Sequence, residues 1–286
     1  MTEEEIIKEN IVEIGKILGI IKSQINIIDG KGRSSKEVRL DPVEEDIRTT
    51  VLYAKRSYLD FYKKIIEFIY DKLRSGAPEK DFFFYVPQLR VLIEIYTSLL
   101  YLCFQDEVKQ MTVIVGETLF TIAKSDKSGK TKEVRAQYDL YYKSYKKFIE
   151  REGLTFPEGI ELFSSNWFRR SGYEYPPVDQ MLKEEWIRES SPQLTARSGG
   201  GQGNTYVVYG HLSNYVHGNV LVKDHHGNEM FWVISEVLIL SGRIAELVSV
   251  KILNNSQKKD IENWIKTMSI SYGRFQTLWL ERGKKL

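Results

Sequence analysis

Apolar residues in this chain return at steps of three and four over long stretches, and no alternation of period two persists long enough to build a sheet. Ile6, Ile7, Ile11, Ile14, Leu18, Ile21 and Ile25 place one greasy stripe on a first helix reaching about Ile28, where Asp29-Gly30 ends it. A polar loop follows over Lys31 to Arg39. Val51, Leu52, Tyr58, Leu59, Tyr62, Ile65, Ile66 and Ile69 predict a second helix from about Pro42 to Leu73, with the proline tolerated in the first turn and Ser75-Gly76-Ala77-Pro78 stopping it. Further helices are expected over Val86 to Phe104, Met111 to Ala123 and Lys130 to Glu150, and then over Thr205 to Val216, Glu229 to Leu253 and Gln257 to Arg282. Between Gly153 and Gly203, prolines and glycines break the pattern into short pieces around Trp167 and Trp186. These features predict an all-α fold, a bundle of long antiparallel helices with an irregular, loop-rich middle segment. One helical domain over 1–286 is expected, with an N-terminal hairpin over 1–80, a core over 81–255 and a closing helix over 256–286.

Composition narrows the function classes. Forty-one Lys and Arg against 39 Asp and Glu leave a net charge of +2, so no global field drives the chain onto nucleic acid or an anionic membrane, and any basic surface must be local. A lone cysteine, Cys103, excludes an internal disulfide and any Cys-rich zinc module; in its apolar run it reads as a buried thiol in a reducing compartment. The acidic start, Met1-Thr2-Glu3-Glu4-Glu5, does not read as a secretory leader, so secretion is not expected. The most apolar stretches, Val91 to Phe104 and Met230 to Leu240, are shorter than a membrane-spanning helix needs and carry Glu94 and Glu236. A cytoplasmic protein without membrane partners is therefore expected.

All four histidines, His211, His217, His225 and His226, fall in one short segment. Ser213 and His217 are four apart, so on a helix they share a face, and an imidazole titrating near neutral pH suits acid–base work. The plainer reading has Ser213 bonded back to its helix and His217 capping the helix end before Gly218. Asp224, His225 and His226 offer metal donors, but neither a Cys pair nor an HExxH spacing supports a zinc site, and a solvated turn explains them more simply. The run Gly199-Gly200-Gly201-Gln202-Gly203 lacks the lysine of a phosphate loop and reads as flexible chain. No metal or cofactor is expected.

Arg90 and Glu94 sit four apart inside a strongly apolar helix, either as a mutual ion pair that fixes helix register or as a phosphate-holding cation beside a carboxylate that orients His217. A local basic patch runs from Lys124 to Arg151, where Tyr138, Tyr141, Tyr142 and Tyr145 recur at helical spacing next to Lys143, Lys146 and Lys147. Cations beside aromatic rings suit single-stranded RNA, although such a stripe more often packs on a neighbouring helix with its lysines solvated.

The helix Leu89-Arg90-Val91-Leu92-Ile93-Glu94, with Tyr209 and Leu212-Ser213-Asn214-Tyr215-Val216-His217-Gly218 later in the chain, resembles a prokaryotic helical family of unknown function in which an Arg and Glu pair and a Ser-x-x-Val-His-Gly element recur. The resemblance spans about Phe82 to Val250. More distantly the chain resembles the HEPN superfamily, whose helical bundles often act as metal-independent RNases in toxin, phage-defence and CRISPR systems, usually as dimers. The resemblance implies RNA as the partner, a homodimer or a partner protein of a defence system, and His217 as the group that activates a ribose 2′-hydroxyl or protonates the leaving oxygen. HEPN nucleases carry an arginine shortly before that histidine; the residue six before His217 is His211, so His211, Arg90 or Arg197 is left to supply the charge. The rival expectation is a non-catalytic helical scaffold or regulatory subunit in which the same polar residues only fix register.

Overall fold

A computed structural model describes residues 1–31, 42–75, 82–125, 132–156, 181 and 229–283. Among these the chain is all-α, as its periodicity predicts, with seven helices and no strand: α1 (Glu3–Lys31), α2 (Pro42–Arg74), α3 (Phe82–Phe104), α4 (Glu107–Ser125), α5 (Lys132–Arg151), α6 (Glu229–Lys251) and α7 (Lys258–Gly283). The expected helix over Thr205 to Val216, the Lys31 to Arg39 loop beyond its first residue, and most of the irregular middle lie outside the described residues.

The ends of the helices follow from local chemistry. Thr2 and Glu5 form a capping box at the start of α1, the Thr2 amide donating to Glu5 Oε2 at 2.7 Å and the Glu5 amide to Thr2 Oγ1 at 3.2 Å. Asp106 caps α4 by accepting from the Lys109 amide at 2.8 Å. Gly153, with φ of 62°, ends α5: its amide bonds Glu150 O and the next amide, Leu154, bonds Ile149 O at 2.9 Å. After α6 the left-handed turn falls to two asparagines, Asn254 and Asn255, the non-glycine residues that adopt it most readily.

Contacts group the chain into two compact units that are discontinuous in sequence: 1–31, 56–103 and 178–286 form the first, 32–55 and 104–177 the second. Helix α2 gives its second half to the first unit and its first half to the second.

In the first unit α1 packs against α6 and α7, which also pack on each other. Ile14, Ile17 and Ile21 on α1, Ile234, Val237, Leu238 and Ile244 on α6, and Phe275 on α7 are fully buried or nearly so. Polar tethers fix the register along this apolar seam. From α1, Asn10 Nδ2 donates to Ser271 O at 3.3 Å, Gln24 Nε2 to Ala245 O at 2.8 Å, and the Glu13 carbonyl accepts from Trp264 Nε1 at 3.2 Å. The edge of the Trp264 ring comes so close to α6 that a Cβ at Gly242 would meet it at 2.9 Å. On the other flank Arg56 grips Asp29 with two hydrogen bonds, of 2.9 and 3.1 Å, and Gly15 makes room for Tyr70, so α1 and α2 run antiparallel.

In the second unit α4 packs on α5. Arg48 of α2 pairs with Glu107 at 2.7 Å, and Lys55 donates to Gln110 Oε1 at 2.7 Å, tying the first half of α2 to α4.

Candidate functional site

Helix α3 starts a turn before the expected Val86. Pro87 therefore lies inside the helix rather than in its first turn, and the deep burial of Tyr85 and Val86 holds the added turn in place. The longer helix makes Tyr85–Phe104 apolar and long enough, by composition and length alone, to cross a membrane, where the stretch from Val91 reads as too short. Two-thirds of it is buried in the protein (67%), and it carries a charged pair, both properties of a core helix. Cys103, near its end, is buried.

That pair is Arg90 and Glu94. One turn apart, they meet directly, Arg90 Nε donating to Glu94 Oε1 at 3.0 Å. Their side chains keep 22% and 34% of their surface accessible while Leu89, Leu92, Ile93 and Leu99 around them are sealed. The pair lies on a partly open face of the helix that Gln88, Val91 and Ser98 share. Both residues make further contacts besides this bond. The other residues expected at this site, Ser213, His217, His211 and Arg197, lie outside the described residues, as do the His225-His226 pair and the Gly199 to Gly203 run.

On α5, Tyr138 and Tyr145 are buried, Tyr142 is half-buried with its ring stacked on Tyr138 at 6.2 Å, and Tyr141 is exposed. Half of the tyrosine stripe is therefore packing. Lys143, Lys146 and Lys147 are all exposed, and Lys146 reaches Glu150 at 3.7 Å. Among the described residues no three His, Cys, Asp or Glu side chains are placed to hold a metal ion.

A second polar centre lies inside the first unit. Glu236 and Arg243 are seven residues apart on α6 and so share a face. Tyr62 of α2, Tyr96 of α3 and Tyr272 of α7 lie close enough to exchange charge effects with one or both of them. Tyr62 and Tyr96 are buried, and the Tyr62 hydroxyl faces Ser241 Oγ at 3.4 Å. Burial pushes the Glu236 carboxyl up to about 7, against a weaker downward pull from Arg243, and burial lowers the Arg243 guanidinium to about 10. Burial likewise raises the Tyr62 and Tyr272 hydroxyls. In sequence this centre left one trace, two charges on an apolar helix, the same signal that marked Arg90 and Glu94. The tyrosines arrive from three other helices, and no periodicity joins them.

The raised carboxyl makes stability depend on pH. Folded protein keeps a proton on Glu236 that the unfolded chain releases near its ordinary 4.5, so the folded state binds more protons between pH 4.5 and about 7, and stability falls as pH rises through that window. Glu236→Gln removes the contribution. Thermal unfolding at pH 5 and pH 8 is expected to show the variant gaining on wild type at pH 8; an equal difference at both values would contradict the assignment.

Comparison with family models, with curated proteins and with solved structures returned no match for the chain.

Proposed function

We propose that this chain is a cytoplasmic, HEPN-like helical protein that acts on RNA as a metal-independent endoribonuclease in a bacterial phage-defence or toxin-like setting. The observation that carries the reading is the direct, half-open Arg90–Glu94 pair on an apolar and largely buried helix. A pair serving only to fix register gains nothing from solvent access, whereas a cation meant for a phosphate needs it. Exposed Lys143, Lys146 and Lys147 beside the exposed Tyr141 ring supply backbone attraction and a stacking face of the kind single-stranded RNA takes.

The chemistry follows from the residue types. His217 takes the proton of a ribose 2′-hydroxyl, and the freed oxygen attacks the adjacent phosphorus. The bond to the 5′-oxygen breaks as that oxygen gains a proton, leaving a 2′,3′-cyclic phosphate and a 5′-hydroxyl. Arg90 offsets the charge that builds on the crowded phosphate, with His211 and Arg197 as further cations, and Ser213 and Glu94 orient the imidazole. DNA lacks the attacking hydroxyl and is not a substrate.

The direct Arg90–Glu94 bond also favours a second reading, a non-catalytic scaffold or regulatory subunit, because two opposite charges that satisfy each other need no ligand. One experiment separates them. Wild type and His217→Ala are incubated with end-labelled total RNA and tRNA in EDTA and in Mg²⁺, with circular dichroism to check folding. Cleavage by wild type in EDTA, lost in the folded variant, is expected; no cleavage in either buffer would leave the scaffold reading in its place.

A further inference from the structure

We propose that the outward face of α7 is a self-association surface on which a second copy of this chain docks, α7 against α7 and antiparallel. The proposal does not rest on the RNA reading, and α7 lies beyond the Phe82 to Val250 span of the family resemblance.

It starts from apolar surface that the fold itself does not use. Trp264, Met268 and Phe275 turn one face of α7 into the core. On the opposite face Ile270 and Leu280 stand in water, 64% and 69% exposed. Removing side chains of this kind from water is the main favourable term in most protein association.

Their spacing gives the surface a form. Lys266, Ile270, Gly273, Thr277 and Leu280 are all exposed and follow one another at steps of four, three, four and three. That is the repeat of a seam between two helices, laid on a face that the described helices leave uncovered. A Cβ at Gly273 would meet nothing within 4 Å, so the middle of the seam is open to a neighbouring backbone.

The seam is complementary to itself when turned round, which is what a two-fold interface requires. With Gly273 set against the partner subunit's Thr277, the same axis sets Ile270 against the partner subunit's Leu280, and each contact occurs twice. The small residues fall at the centre, where the backbones must come closest, and the large apolar ones fall on either side.

Charge selects the same arrangement. In this register Lys266 lies about 4.5 Å along the axis from the level of the partner subunit's Glu281, a distance a lysine side chain spans. Neither the Lys266 nor the Glu281 side chain forms a hydrogen bond or ion pair with a described residue. Arg274, beside the seam, is already held by Glu9 at 2.7 Å and brings no unpaired charge to it. A parallel pair would instead set lysine against lysine and glutamate against glutamate. Two single helices meeting over about four turns bury less than the roughly 1,200 Å² at which stable interfaces begin, so the dimer is a concentration-dependent one.

The test is sedimentation of the full chain over about 1 to 200 μM, where the mean mass is expected to climb from monomer toward dimer. Ile270→Glu is expected to weaken the dimer about tenfold or more without a change in circular dichroism, because the side chain it replaces is exposed. Lys266→Glu and Glu281→Lys are each expected to weaken it as well, and the double variant to restore it to within about threefold of wild type. Should Ile270→Glu fail to fold, this exchange of surface charges decides. Direction is read by mild oxidation of cysteine variants: Ile270→Cys is expected to cross-link with Leu280→Cys and not with itself, since the two Ile270 positions lie about 15 Å apart along the axis. The native Cys103 is buried and does not compete. A dimer undiminished by Ile270→Glu, a double variant no better than the single ones, or each cysteine variant cross-linking only with itself would overturn the proposal. So would a chain that stays monomeric at every concentration, which would leave the face to a different partner.

Discussion

Replacing Trp264 with alanine is expected to cost about 3–5 kcal/mol of stability, the range for emptying a large buried aromatic position. The ring is 4% exposed and reaches across the first unit, donating to the Glu13 carbonyl on α1 while pressing on Gly242 of α6. One side chain thus joins the three helices that make that core. Most of the loss comes from packing, because the Glu13 carbonyl keeps its own helical partner when the indole is gone. Urea unfolding of the two proteins measures the difference, and a loss below about 1 kcal/mol would mean that the seam between α1, α6 and α7 is held elsewhere. The converse substitution, Gly242→Ala, drives a methyl into the same ring and is expected to cost about 1–3 kcal/mol by overpacking.

The second large effect is on activity. Arg90→Gln is expected to lower the rate of RNA cleavage by about a hundred- to a thousandfold, the usual consequence of removing one group that meets charge as it develops. Stability is expected to change by less than about 1 kcal/mol, because the pair is half-open and its Coulomb attraction is screened. The scaffold reading reverses both outcomes, with no activity to lose and a larger drop in stability. Rate and unfolding free energy measured on the same preparation therefore decide between them.

The long helices were legible because each carries its apolar stripe over many turns, and the expected limits of α2, α5, α6 and α7 lie within two residues of those observed. The early start of α4, at Glu107 and not at the expected Met111, has a local cause in its Asp106 cap, while the other exceptions have tertiary ones. Asp29-Gly30 reads as a stop, but α1 runs on to Lys31 because Asp29 is held by Arg56 of α2, a partner no local pattern announces. The third helix is expected from Val86, but α3 begins at Phe82, where the buried Tyr85 and Val86 hold the added turn. In the candidate site the i, i+4 spacing of Arg90 and Glu94 foretold a bond that the structure contains. On α5 the tyrosine spacing allowed packing or RNA stacking, and helical phase divides it: Tyr138 and Tyr145 turn inward while Tyr141 faces solvent. Glu236 and Arg243 were visible only as charges out of place, since the tyrosines that give them meaning come from α2, α3 and α7.

The most direct test of the central claim is the chemistry at the cut ends of RNA treated with wild-type protein in EDTA. Attack by the ribose 2′-hydroxyl predicts fragments ending in a 2′,3′-cyclic phosphate and starting with a 5′-hydroxyl. Fragments with 3′-hydroxyl and 5′-phosphate ends, or cleavage that appears only when Mg²⁺ is restored, would contradict it.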